Sequence, residues 1–266
     1  MRAFRVAALV AFLVAAWSEV RAQSGQPPAQ PNVIFLRPPL QDGGTREVLE
    51  SIVIPPMVDA PFTLTLHTEW VRAFADGGSQ TFVNHRRIAR DGNGRIYQER
   101  QGLMPKGGDE ASILTFIQIA DPSLHQLYTC SFANRICELT LYTAKPLHSY
   151  QPPLAPVGRP KGSAREVTRD DLGINMILGI EANGTRETTT VDAGAAGNDR
   201  PMVSTREFWF SPKLGISLIS KRSDPRFGSQ TFVVSDIEES EPDAILFQPP
   251  QGFQIKDLRK LAAPSD

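Results

Sequence analysis

The chain has 266 residues, 41% hydrophobic and 21% charged, with 28 basic side chains against 29 acidic ones and a formal net charge of −1. Basic and acidic residues are interspersed rather than grouped. No long-range field is available to gather nucleic acid or an anionic lipid surface, and both partners are disfavoured.

Arg2 and Arg5 precede an apolar stretch from Val6 to Trp17, too short for a permanent membrane span, and Val20-Arg21-Ala22 supplies a small residue at a cleavage point. This pattern predicts a signal peptide over residues 1–22, cut after Ala22. No cysteine follows the cut, so a lipid anchor at the new N-terminus has no thiol to attach to. The expected product is an exported chain, periplasmic or extracellular, soluble and without stable membrane insertion. Removing residues 1–22 shifts the net charge to about −3, and the rest, roughly 240 residues, suits one large all-β domain.

Residues 23–44 are rich in Pro, Gln and Gly and are expected to form a disordered leader. Thr45 can cap a short helix, with Glu47 at its positive end and Val48, Leu49, Ile52 and Val53 along one stripe, stopped by Pro55 and Pro56. From Pro61 the period changes to two. Phe62, Leu64, Leu66, Trp70 and Phe74 share one face, while Thr63, Thr65, His67 and Glu69 share the other. Turn signals at Asp76-Gly77-Gly78 and at Asp91 to Gly94 then separate strands over 80–90 and 95–101. Asp91-Gly92-Asn93-Gly94 opens like a calcium loop, but Arg95 and Ile96 stand where an oxygen ligand and a glycine are required, so it reads as a hairpin turn.

Further strands are expected over 113–119, 124–130, 136–142, 174–181, 185–191, 206–210, 215–221 and 229–237. Cys130 and Cys137 flank a turn signal at Asn134 and can face each other across a hairpin, which in an oxidising compartment predicts a disulfide. The prolines at 146, 152, 153, 156 and 160 interrupt ladder pairing and mark 145–161 as a surface loop. Gly78-Ser79-Gln80-Thr81-Phe82-Val83 recurs as Gly228-Ser229-Gln230-Thr231-Phe232-Val233, which turn chemistry followed by β-formers explains without a duplication. With ten or eleven strands and no helical crossovers, the expected fold is mainly β. It is a single curved antiparallel sheet, a half-barrel with one short N-terminal helix, spanning residues 45–256 before a flexible tail over 257–266.

Catalytic constellations are missing. None of His67, His85, His125 and His148 has a histidine or cysteine at metal-ligand spacing, no serine sits in a nucleophile elbow and no glycine-rich turn could cradle phosphate. Neither a cofactor nor a metal is therefore expected. His67 and Glu69 share a strand face, and only a meeting with His85 on the next strand would turn that pair into chemistry. The acidic run Asp236, Glu238, Glu239, Glu241 and Asp243 lacks an apolar wall to raise a carboxyl pKa and reads as a solvated strand end. What remains is apolar: Phe62, Leu64, Leu66, Trp70, Phe208 and Phe210 are the expected lining of a ligand-binding face.

The order Glu207-Phe208-Trp209-Phe210-Ser211-Pro212, then 216–221, Thr231-Phe232, Ile237, Pro242-Asp243, Leu246-Phe247 and Pro249-Pro250-Gln251-Gly252-Phe253 resembles the C-terminal part of the LolA/LolB/RseB-like superfamily of bacterial envelope proteins. Thr68-Glu69-Trp70 and Ser223-Asp224-Pro225-Arg226-Phe227-Gly228 are also similar to uncharacterised exported bacterial proteins. The resemblance implies a half-barrel whose concave side holds acyl chains or a lipoprotein without catalysis. The expected function is accordingly non-enzymatic binding of a hydrophobic ligand or lipidated partner. The alternatives are an envelope interaction module with a filled core and, behind both, a hydrolase built on His67 and His85.

Overall fold

The computed structural model describes residues 51–108 and 112–259, so the predicted signal peptide and leader lie outside the described residues. Thirteen strands form one curled, mostly antiparallel sheet. They are β1 (Phe62–Ala73), β2 (Ser79–Arg90), β3 (Ile96–Gln101), β4 (Met104–Pro105), β5 (Leu114–Asp121), β6 (Gln126–Ser131), β7 (Ile136–Leu141), β8 (Arg165–Ile177), β9 (Ile180–Val191), β10 (Met202–Ser211), β11 (Ile216–Asp224), β12 (Gly228–Glu238) and β13 (Gln254–Asp257). Their order is β13-β7-β6-β5-β3-β2-β1-β12-β11-β10-β9-β8, with β4 beside β2. The hairpins build the sheet outward in both directions from β1, and only β13 joins in parallel, on β7.

The period-two pattern of β1 becomes burial: Phe62, Leu64 and Leu66 are buried, and the residues between them are half-exposed. On this inner face the three residues share one cluster with Ile88, Ile96, Leu214, Ile216, Leu218, Phe232 and Val234. Ile52 and Ile54 belong to the same cluster, and the described end of the predicted helix, residues 51–53, is not helical. Residues 45–50 lie outside the described residues, but residues 51–56 are irregular, with Ile54 buried and Val53 57% exposed. β-branched residues running into Pro55-Pro56 favour extended chain over a helical turn.

A second core, unforeseen from the sequence, sits on the reverse face. Ala89 pairs with Tyr97, Tyr97 with Ile119, Ile117 with Cys130, and Cys130 with Cys137. Phe247, from a short 3-10 turn over Ala244–Phe247, covers them. The acidic run helps build this cover. Asp243 caps the turn by accepting from Ile245 N–H, and Glu241 accepts from Gly92 N–H. Asp91 is fully buried and accepts from the backbone of Asn93 and Arg95 and from the Arg95 side chain, which closes the β2–β3 turn.

Cys130 and Cys137 form the expected disulfide across β6 and β7, with both residues fully buried. Their separation of seven residues closes a small loop, for which chain entropy gives a stabilisation of about 2–3 kcal/mol. Reduction should therefore lower the unfolding free energy by that amount, read as a lower urea midpoint at nearly constant slope, and a Cys130→Ala, Cys137→Ala chain should match it. A midpoint unmoved by reduction would show that the bond constrains nothing.

One strand prediction needs correction. The expected single strand over 174–181 is instead a hairpin tip: β8 begins at Arg165 and the chain reverses at Leu178-Gly179, where Ile177 pairs with Ile180. Both turn residues have positive φ, 50° and 79°, as a type I′ turn requires.

Candidate functional site

The six residues expected to line a ligand face are all buried: Phe62, Leu64, Leu66, Trp70, Phe208 and Phe210 are between 0% and 8% exposed. Each has a packing partner. The Arg90 guanidinium lies 4.7 Å above the Phe62 ring, Arg206 lies 4.6 Å above Phe208, and Trp70 donates its indole N–H to the Phe227 carbonyl at 2.9 Å. Phe210 stands 6.3 Å from Tyr150 in the proline-rich segment.

That segment is tied down at several points. Glu187, buried on β9, accepts from Ala155 N–H at 2.9 Å and from Arg169 at 3.0 Å, with Arg206 at 3.5 Å. Gly158 exchanges backbone hydrogen bonds with Val167 at the start of β8. Arg159 bridges Glu166 and Asp192, which holds its carboxylate partner Asp192 below the usual range. The prolines that forbid a ladder thus give a strap that crosses strands and is held by side chains.

Beyond Val167, β8 pairs with β9 on one side and has no strand on its other side among the described residues. The two ends of the sheet differ. β13 is four residues long and carries Lys256 and Asp257, which is how an edge is ordinarily protected. β8 has thirteen residues. Its middle is blunted by Arg169, Asp170 and Asp171 and by a register shift before Gly173. Its end is not. Ile174, Met176 and Leu178 are 69%, 60% and 51% exposed. At the base of this hairpin a cleft of about 520 Å³ is lined by Arg169, Asp171, Gly173, Ile174, Asn183 and Thr185, among others. Gly184 stays a glycine because a Cβ there would come 2.8 Å from both Leu172 and the Trp209 ring.

Leu178 breaks a local rule. The first central position of a type I′ turn calls for Asn, Asp or Gly, and a leucine held at φ 50° carries a penalty of about 1 kcal/mol or more. Leu178 also fails to bury its side chain in compensation, being 51% exposed. Sequence reasoning reads through this turn because Ile174-Asn175-Met176-Ile177-Leu178-Gly179-Ile180 is an apolar run with only Gly179 to mark the reversal.

On the reverse face the register sets His67 opposite His85, with their Nδ1 atoms 3.4 Å apart. Burial, and then the facing His85, hold the His67 imidazole below its ordinary pKa. Glu69, next along the same face, binds the Lys106 ammonium at 2.7 Å. His85 also lines a cleft of about 370 Å³ with Val83, Asn84, Gln101, Met104 and Ser112, among others. Among the described residues no three of His, Cys, Asp and Glu converge as metal ligands, and no helix is long and apolar enough to cross a membrane.

No protein-family model matches the chain, and no curated protein matches it significantly in sequence. Among solved structures it is similar to an uncharacterised conserved protein from Thermus thermophilus, with TM-score 0.38, 8% identity, 74% of this chain and 90% of that one covered. It is also similar to MucB in the Pseudomonas aeruginosa MucA/MucB complex, with TM-score 0.36, 13% identity, and 74% and 58% covered. A third is a domain classed as an outer membrane lipoprotein-sorting protein from Vibrio parahaemolyticus, with TM-score 0.18, 9% identity, and 70% and 89% covered.

Proposed function

We propose that the chain is an exported, non-enzymatic binding module that recognises an extended, apolar segment of an envelope partner along the end of β8. The observation that carries this reading is the uncharged end of a thirteen-residue edge strand, where Ile174 and Met176, with Leu178 in the adjoining turn, face solvent. An edge strand offers its free N–H and C=O groups to a guest strand, and a neighbouring cleft can take a guest side chain. Export is supported by the signal pattern of residues 1–22 and by the buried disulfide, which suits an oxidising compartment. An acyl chain enclosed against Phe62, Leu64 and Leu66 would have to displace Ile52 and Ile54 from a packed cluster, so a protein or lipidated protein at the edge fits the packing better than a lipid in the core.

A photo-crosslinking residue at Met176 tests this in the native envelope. It should trap one discrete species that the same residue at exposed Val53 does not, and Ile174→Lys should abolish the product. Equal products from both positions, or none from Met176, would overturn the edge reading. Native mass spectrometry of the purified protein should give the mass of the chain alone; a co-purifying lipid would favour the enclosed ligand.

Leu178→Asn gives a separate readout. Asparagine tolerates φ 50°, so the variant should be more stable by about 1 kcal/mol in urea unfolding and should crosslink less. A gain in stability with crosslinking unchanged would mean that Leu178 is not part of the contact.

A further inference from the structure

The His67–His85 pair carries an inference of its own. The two residues are directly paired across β1 and β2, their Nδ1 atoms are 3.4 Å apart, and their ring centroids are 4.5 Å apart with a tilt of 40°. As a hydrogen bond this contact is long, beyond the usual range of about 2.7–3.2 Å for nitrogen donors. Two protonated rings at this separation would repel each other. A tetrahedral metal ion bonded to two imidazole nitrogens at about 2.0–2.1 Å sets those nitrogens about 3.3 Å apart. The spacing on the paired strands is thus that of two ligands on one ion.

We propose that His67 and His85 together bind a divalent transition metal ion of the zinc or copper class through their Nδ1 atoms. Imidazole is a preferred ligand for these ions, and both rings must be neutral to serve. The pair is solvent-exposed, and His85 also borders the cleft of about 370 Å³, so further ligands can reach it from outside. Glu69 stands two residues from His67 on the same face but is engaged by Lys106 at 2.7 Å, so the two imidazoles are the protein ligands. The protein supplies two firm ligands, so the site is one of moderate affinity, open to exchange and to a further ligand in the cleft.

Calorimetric titration of the tag-free protein with zinc chloride tests the assignment, together with the electron paramagnetic resonance spectrum of the copper(II) form. One ion per chain is expected, with two equivalent nitrogens coupled to copper. His67→Ala and His85→Ala should each weaken binding by at least the roughly ten- to hundredfold seen for loss of outer-shell partners, while His125→Ala and His148→Ala leave it unchanged. Circular dichroism identifies any variant that fails to fold, and His85→Gln then replaces it. Absence of zinc binding, binding that survives loss of either His67 or His85, or a single coupled nitrogen would each overturn the proposal.

Discussion

Replacing Arg90 by leucine should destabilise the fold by about 4 kcal/mol or more, a loss larger than any surface substitution can produce. Arg90 is fully buried at the end of β2. Its guanidinium donates twice to the Ala60 carbonyl, at 2.8 and 3.1 Å, once to Pro55 at 3.0 Å and once to Leu214 at 2.7 Å. Those carbonyls belong to irregular segments with no ladder to satisfy them, so one side chain ties the 55–60 stretch and the β10–β11 turn to the sheet. Burial lowers the Arg90 pKa to about 10, which leaves it cationic at neutral pH, with the Phe62 ring face adding attraction. Leucine keeps much of the volume but orphans two buried acceptors, the Ala60 and Leu214 carbonyls, since Pro55 still accepts from Met57 N–H; each orphan costs about 1–3 kcal/mol. Arg90→Lys should recover only part of the loss, because one ammonium cannot span three carbonyls in that fork geometry. Urea unfolding followed by Trp70 and Trp209 fluorescence measures both variants; a loss below about 1 kcal/mol for the leucine variant would show that water replaces the guanidinium.

The sheet was legible because its strands alternate and its turns carry glycine beside Asp or Asn. Residues 62–70, the turns near 76–78 and 91–94, and the pairing of Cys130 with Cys137 all follow from local rules. The reverse-face core was not legible. In β3 and β5 Ile96 and Tyr97, and Ile119 and Ala120, are adjacent and buried on opposite faces, so two-sided burial erases the alternation that announces a core. Its cover comes from residues 244–247, more than a hundred positions away from Cys137 in the chain, and no pattern inside β5 to β7 indicates it. Arg90 shows the same limit: from sequence it is one more basic residue at a strand end, and only the fold converges three carbonyls on it.

The candidate sites divide along the same line. The apolar residues chosen from sequence are strand residues of high hydrophobicity, which is also what packs a core, and composition alone cannot separate the two uses. Ile174 and Met176 were visible as β-formers, but their exposure depends on β8 ending the sheet, which is a property of strand order. His67 and Glu69 could be placed on one face by counting, whereas the distance from His67 to His85 is set by the 74–78 connection, which fixes the β1–β2 register.

The repeated hexapeptide yields the second large effect. Its two copies begin the strands that flank β1 on either side. Phe82 pairs with Trp70, and Phe232 pairs with Thr68, so the copies lie two residues apart along the same neighbour. Their glycines do different work. Gly228 has φ +80°, and a Cβ there would lie 2.1 Å from the Val71 carbonyl oxygen and 3.1 Å from its carbon, atoms of a paired strand that cannot rotate away. Gly78 lacks the positive φ, and its nearest atoms are the side chains of Asp76 at 3.1 Å and Phe74 at 3.3 Å, both on an exposed turn. Gly228→Ala should therefore cost about 3 kcal/mol or more, through backbone strain and separation of β12 from β1, while Gly78→Ala should stay within about 1 kcal/mol of the parent. Urea midpoints of the two single variants provide the comparison. Equal losses would mean that the β1–β12 pair yields as easily as a surface turn, and would remove the case for treating the two copies as the same string in two different structural roles.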